Sequence, residues 1–266
     1  MNHRWGISPF PGNTLSDGNG IPSCVPLVSF SSQEQGISPE GSLVPVKAGS
    51  RPVAKKEHSF HKDSQLSVWR DGALHIISES YGYKTETYYT ILRHELDGTA
   101  VRPASSAVLD AYVVPVCLER AQIAGIPVCE WGISMVYAPL PSILYGLNYF
   151  ANTSDFVVVK DNEKAKETVR HITNKGKYPF CYQKLSDNAE VTSCISIFGR
   201  TATGSDQIDT IALQVYDLFA IPLVRLVLVK DGDTFRLSSL SRTRYTQMSV
   251  EERSILSAYI SNQEFL

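Results

Sequence analysis

From residue 66 onward, apolar and polar positions in this 266-residue chain recur with the periods of strands and helices. Leu74, His75, Ile76 and Ile77 form a short apolar run that predicts a buried strand. After the polar stretch 78–85, Tyr88, Leu92 and Leu96 recur at helical spacing, with Thr85 placed to cap the helix and Gly98 to stop it. Residues 110–116 read as a second buried strand, 117–124 as a helix closed by Gly125, and 126–131 as a third strand. Strand, helix and strand in that order imply right-handed crossovers on a parallel sheet, a Rossmann-like βαβ lobe over 66–136.

The second half reads differently. Residues 137–153, rich in Pro, Tyr and Asn, predict a connector, followed by a strand at 156–159. Asp161 caps a helix that buries Ala165, Val169 and Ile172, and strands are expected near 180–184 and 191–198. Ile208, Ile211, Ala212, Val215, Leu218 and Phe219 make the clearest apolar stripe of the chain, with Asp206 and Asp209 at the positive end of its helix. Strands at 223–229 and 234–240 flank a turn at 230–233, and Ser249 with Glu252 forms a capping box for a last helix. The predicted class is α/β: a parallel-sheet βαβ N-terminal lobe, then an α+β, split βαβ-like lobe over 137–266. An irregular N-terminal arm over 1–65 precedes both. Residues 1–52 hold 7 of the 17 glycines, 7 of the 14 prolines and 9 serines with no sustained period, too little apolar surface to offset the entropy of ordering.

Composition narrows the function classes without naming one. A net charge of −2 argues against a general nucleic-acid binder, which carries a basic excess with pI above about 9. The first eighteen residues lack the apolar core of a signal peptide, and no apolar run approaches the length of a membrane span, so neither export nor a membrane partner is expected. The five cysteines, at 24, 117, 129, 181 and 194, are scattered and odd in number, which fits reduced thiols in a cytoplasmic protein better than a disulfide framework or a zinc site.

Two segments are candidates for binding. Ser80, Tyr81 and Tyr83, with Tyr88 and Tyr89 beyond them, lie after the first strand, at the edge where open α/β sheets bind ligands. Their phenols offer apolar faces and hydrogen-bonding tips, suited to a peptide-like or aromatic ligand. Residues 198–205 run from a strand into the strongest helix, so Arg200, Thr201 and Ser205 stand where an anion is favoured, although no Walker Lys-Ser or Lys-Thr follows. The seven cations of 160–184 outnumber the three carboxylates there, and read first as a solvated helix face. No nucleophile signature is present: G-x-S-x-G, S-x-x-K and H-E-x-x-H are all missing, and His58, His61, His75, His94 and His171 have no ligand-spaced partners.

Two blocks carry a family likeness. IISESYGYKTETYYTILRHELDGTAVRPA leads from a strand through a serine-tyrosine-x-tyrosine loop to a helix opened by paired tyrosines. IFGRTATGSDQIDTIALQVYDLFAIPLVRLVLVKDGDTFRLSSLSRTRYTQMSVEER combines a Phe-Gly-Arg-Thr turn, a long helix, a Pro-Leu strand and a serine-rich strand end. Over about 74–260 the chain resembles the RimK-like ATP-grasp N-terminal (RLAN) domain family. By resemblance, Ser80, Tyr81, Tyr83, Tyr88, Tyr89, Arg200 and Thr201 match the family pattern. In that family the domain precedes an ATP-grasp domain that joins a carboxylate to an amine through an acyl phosphate. The motifs of that chemistry do not appear here. There is no later Gly-rich phosphate loop, no pair of nucleotide-binding lysines and no terminal Glu-x-Asn for magnesium; the strand that could be mistaken for a metal-ligand strand reads FRLSSLS, with serines where carboxylates would be needed, and Glu79 stands where an arginine is expected. The expectation is a stand-alone, non-catalytic accessory protein with no cofactor and no metal. Its partner would be a separate ATP-grasp ligase, or a peptide or amino-acid substrate. The alternatives are an enzyme or nucleotide-binding protein using the 199–206 turn and, least favoured by the charge, an RNA-binding module using 160–184.

Overall fold

The computed structural model describes residues 60, 61, 64–148 and 151–261. The chain divides into two units, 1–53 and 54–266, and the described residues all belong to the second. The arm expected over 1–65, with Cys24 and His58, falls almost wholly outside the described residues. Within them the class is mixed α/β, with six α-helices and three small sheets.

The first sheet starts from a hairpin, β1 (Leu66–Arg70) and β2 (Ala73–Ile77), turned by Asp71 and Gly72 at φ 51° and 72°. Positive φ at both turn positions matches the twist of the flanking strands, and Asp-Gly tolerates it. Every residue of β2 is buried, as its apolar run implies. Helix α1 (Glu86–Leu96) then leads to β3 (Val101–Arg102), which pairs with β2 in parallel. The Thr85 hydroxyl accepts the Tyr88 N–H at 3.2 Å, and Gly98 closes the helix at φ 75°.

Residues 110–116 are not a strand. They belong to α2 (Ser105–Tyr112) and α3 (Val114–Ile123), broken at Val113. The buried residues there include Val108, Ala111, Val114, Cys117, Leu118 and Ala121, spaced three and four apart. That helical spacing outweighs the β-branched run around Val113 and Val114, and Pro115 sits in the first turn of α3, where its missing N–H costs nothing. The strand expected over 126–131 reduces to one bridge between Val128 and Leu237, and a strand begins only with β4 (Trp131–Ser134).

The expected connector 137–153 contains β5 (Ser142–Gly146), whose Ile143, Leu144 and Tyr145 are fully buried. With β6 (Val157–Val159) and β7 (Phe180–Lys184) it builds a four-stranded antiparallel sheet, ordered β4-β7-β5-β6, that packs α4 (Asn162–Ile172). The Asp161 carboxylate caps α4 by accepting the Lys164 N–H at 2.8 Å. A second antiparallel sheet, ordered β10-β9-β8, joins β8 (Glu190–Ile197), β9 (Leu223–Asp231) and β10 (Thr234–Ser241). The strands beyond residue 137 are therefore shared between two antiparallel sheets.

Helix α5 (Asp206–Phe219) buries Ile208, Ile211, Ala212, Val215 and Phe219, the predicted stripe with Leu218 only partly covered. Each large apolar side chain removed from water contributes about 1.5–3 kcal/mol. The stripe packs with α2 and α3 against the β10-β9-β8 sheet in one core running from Leu74 to Leu240. Helix α6 (Val250–Ile260), opened by the Ser249–Glu252 capping box, packs on β8.

Candidate functional site

The chain leaves β10 still extended. Ser241, Thr243 and Tyr245 are buried while Arg242 and Arg244 are exposed, the period of two that sends alternate side chains to opposite faces. Glu79, two residues beyond β2, fixes this segment. Its carbonyl accepts the Thr243 N–H at 3.2 Å and its Oε1 accepts the Tyr245 N–H at 2.5 Å. A carboxylate accepting a backbone N–H in a buried site makes a strong, directional bond. Tyr245 adds a bond from its hydroxyl to the Ser64 carbonyl at 3.2 Å and stacks on Phe60.

The pinned segment forms one wall of a cleft of about 830 Å³, with Arg225, Ser193, Asp155 and Gln247 among the other lining residues. The register of β9 with β10 sets Arg225 opposite Ser241. Its guanidinium donates to Gln247 Oε1 at 3.0 Å and to Ser193 Oγ at 3.4 Å, which holds it along the floor. Among the described residues neither Arg242 nor Arg244 forms an ion pair. The hydroxyls of Ser80 and Thr243, both on the lining, are shielded from water and have no hydrogen-bond partner among the described residues. Three arginines against Glu79 and Asp155, with Glu79 engaged by the backbone, leave a site that favours an anion.

Beside the cleft the two antiparallel sheets are tied together. The Tyr145 hydroxyl lies 2.7 Å from Ser238 Oγ and donates to Ser239 Oγ at 3.0 Å, while Gln183 Nε2 donates to the Ser238 carbonyl at 2.8 Å. Burial pushes the Tyr145 phenol well above its ordinary pKa, so its proton stays; with that proton on Ser239, Ser238 is the donor of the other bond. The register shifts between Leu237 and Ser239, and this bulge lets neighbouring serines reach the same phenol.

The residues singled out from the sequence part company. Ser80 lines the cleft. Tyr81 is fully buried, its hydroxyl donating to the Ile76 carbonyl and accepting the Ser78 N–H, both at 3.0 Å. Tyr88 is a core residue of α1; Tyr83 and Tyr89 are 58% and 52% exposed and contact it edge-on. Arg200 is exposed in a turn whose backbone pairs with Ile197. The Thr201 N–H and hydroxyl both donate to Asp209 Oδ1, at 3.2 and 2.5 Å, so the helix supplies its own anion there. Ser205 stands at the N-cap of α5 without a side-chain capping bond. Arg200, Thr201 and Ser205 are not among the residues lining the cleft. The basic residues of 160–184 are for the most part exposed, as expected of a solvated face. Arg225, Arg242, Arg244 and Glu79 were not predicted as ligand-binding residues; the visible signal was the alternation Arg-Thr-Arg just after a strand.

Comparison with solved structures decides the fold. The RimK domain ATP-grasp protein of Sphaerobacter thermophilus superposes with a TM-score of 0.50 at 14% identity, covering 66% of this chain and 77% of that one. The fold is ATP-grasp-like. Lower similarities link the ATP-grasp-like chain to the ATP-grasp ligase PsnB, whose structure holds a minimal precursor, Mg and ADP (TM-score 0.48, 15% identity, 66% of each chain). The D-alanine-D-alanine ligase of Helicobacter pylori gives 0.44 at 13% identity, over 64% of this chain and 61% of that one. No family model and no curated protein matches the chain.

The magnesium ion that this fold implies does not suit the residues present. The FRLSSLS strand end, which could be mistaken for a metal-ligand strand, presents Ser238, Ser239 and Ser241, all buried, and Tyr145 takes up two of their hydroxyls. Magnesium is held by carboxylates and waters in near-octahedral geometry, and a closed set of neutral hydroxyls offers neither charge nor open positions. Among the described residues no three His, Cys, Asp or Glu side chains converge on a cation position, and no helix there is long and apolar enough to cross a membrane.

Proposed function

We propose that this ATP-grasp-like protein binds the carboxylate of a peptide or amino acid in the arginine cleft and presents it to a separate RimK-like ATP-grasp ligase, without activating it itself. The observation that carries this reading is the pair Arg242 and Arg244, unpaired among the described residues and held over the cleft by Glu79. A guanidinium fork receives a carboxylate through two parallel hydrogen bonds. The mechanism is positioning: a carboxylate held by fixed donors loses its freedom before the ligase meets it, so the activating step elsewhere starts from an oriented substrate. The hydroxyl-only strand end supports delegation of the bond-making step, because it offers no carboxylate to hold a metal ion against a nucleotide.

The test combines binding with a ligase assay. N-acetyl-L-alanine titrated calorimetrically into the protein should bind, and Arg242→Gln combined with Arg244→Gln should lose at least tenfold in affinity. Mixed with a candidate RimK-like ATP-grasp ligase, the protein should form a complex and raise the ligase rate at sub-saturating carboxylate. Alone with ATP and magnesium it should release no phosphate. Phosphate release by the purified chain, or a ligase rate indifferent to its presence, refutes the reading.

A further inference from the structure

A second cavity, of about 390 Å³, opens beside the arginine cleft and shares Arg242 and Asn152 with it. Its walls come from the junction of α2 and α3, where Val108, Leu109 and Val113 face it, and from Leu147 beyond β5. This volume lies near the lower end of the roughly 300–1,000 Å³ found for small-molecule pockets, enough for one amino-acid side chain.

Tyr112 makes the cavity more than an apolar dent. It lines the pocket, yet its hydroxyl is shielded from water and has no hydrogen-bond partner among the described residues. Burial raises the phenol pKa well above its ordinary value, so the group is a neutral O–H donor, and the Arg242 guanidinium is close enough to oppose that rise. A buried hydroxyl without a partner is costly, and native structures keep one where something supplies the missing partner. The apolar walls, the Arg242 cation and the idle donor therefore point toward one kind of molecule.

We infer that this cavity is a side-chain pocket for the ligand of the arginine cleft. The occupant is an N-acyl amino-acid carboxylate whose apolar side chain packs on Val108, Leu109 and Val113, while its carboxylate is received by Arg242 with the Tyr112 hydroxyl as a second donor. The inference rests on the carboxylate-binding reading above and adds a preference for the side chain. An amino acid with a small side chain reaches the arginines and leaves the pocket unfilled. One with a large apolar side chain gains the contacts of the walls, and apolar contact in a pocket of this kind discriminates by a factor of roughly 10–200 per group.

Calorimetric titration with N-acetyl-L-phenylalanine, N-acetyl-L-alanine and N-acetyl-L-phenylalaninamide tests this. The phenylalanine probe should bind at least tenfold tighter than the alanine probe, and the amide at least tenfold weaker than the phenylalanine acid. Leu109→Trp, a wall position 39% exposed and so tolerant of a larger ring, should abolish the preference between the two acids. Tyr112→Phe should weaken both acids several-fold and the amide less. Thermal melting of both variants confirms that they remain folded. Equal binding of the two acids in the parent protein overturns the pocket while the carboxylate reading stands. An amide that binds as well as the acid, or no binding by any probe, overturns both.

Discussion

Replacing Tyr145 by Phe removes one oxygen from a site where the ring is otherwise needed. The ring packs in the core beside Phe156 at 5.8 Å between centroids, and Phe preserves that contact. What is lost is the pair of bonds to Ser238 and Ser239, both serines being fully buried. Each bond contributes about 0.5–1.5 kcal/mol net, and a buried group left unpaired costs about 1–3 kcal/mol. Ser239 loses its donor outright and Ser238 loses its acceptor, so the expected destabilisation is about 2–4 kcal/mol. For a domain of this size that lowers Tm by roughly 5–12 °C. Urea unfolding followed by tryptophan fluorescence is the assay, and the midpoint should fall while the slope m stays constant, since the same surface unfolds. A Tyr145→Phe, Ser239→Ala cycle should show coupling of about 1 kcal/mol or more, because removing both partners leaves one orphan fewer. A change below about 0.5 kcal/mol, the size seen at ordinary surface positions, would show that the hydroxyl does not tie the two sheets together.

Glu79→Ala leaves the Tyr245 N–H unpaired in a buried place and should cost about 1–3 kcal/mol by the same measurement, whereas Glu79→Gln keeps an acceptor and should recover most of it. If Glu79 positions the arginines, Glu79→Ala also weakens N-acetyl-L-alanine binding, a readout that loss of stability alone would not move in a sample that is still folded. His75 gives a pH dependence. Burial, aided by the nearby Arg102 guanidinium, holds its pKa below the ordinary value, so the unfolded chain takes up a proton that the folded one resists. Stability is therefore full above about pH 6.5 and falls as the pH drops from there toward the folded pKa. His75→Gln should flatten that slope when urea midpoints are compared at about pH 7.5 and pH 5.5, and an unchanged slope would mean that another group titrates.

The elements that could be read in the sequence were those whose signals are local. The buried run of β2, the Thr85 cap, the stripe of α5 and the Ser249–Glu252 capping box each depend on a few neighbouring residues, and each appears where expected. The stretch around Val113 and Val114 misled because β-branched residues favour strands, whereas the buried positions three and four apart pack as helix against β10. β5 was hidden among prolines and tyrosines; its partner β7 lies some forty residues on, beyond any local window. The site was less legible still. Two of the tyrosines have their place in the core, Tyr81 through its hydroxyl and Tyr88 through the helix face, and the turn holding Arg200 meets its own Asp209. Arg225 comes near Arg242 only through the pairing of β9 with Ser241, a register that no spacing along the chain discloses.

The bulge at Ser238 also bears on how this strand can change length. Because the ladder skips a residue between Leu237 and Ser239, the loss of one serine there would be absorbed by a straightened strand, and Leu240 and Ser241 would keep their partners. Arg242 and Arg244 would then still point the way they do now. Lengthening finds no such slack: one added residue after the bulge would exchange the two faces of the segment, turning both cations away from the positions they now hold. The strand is thus buffered against shortening and exposed to growth.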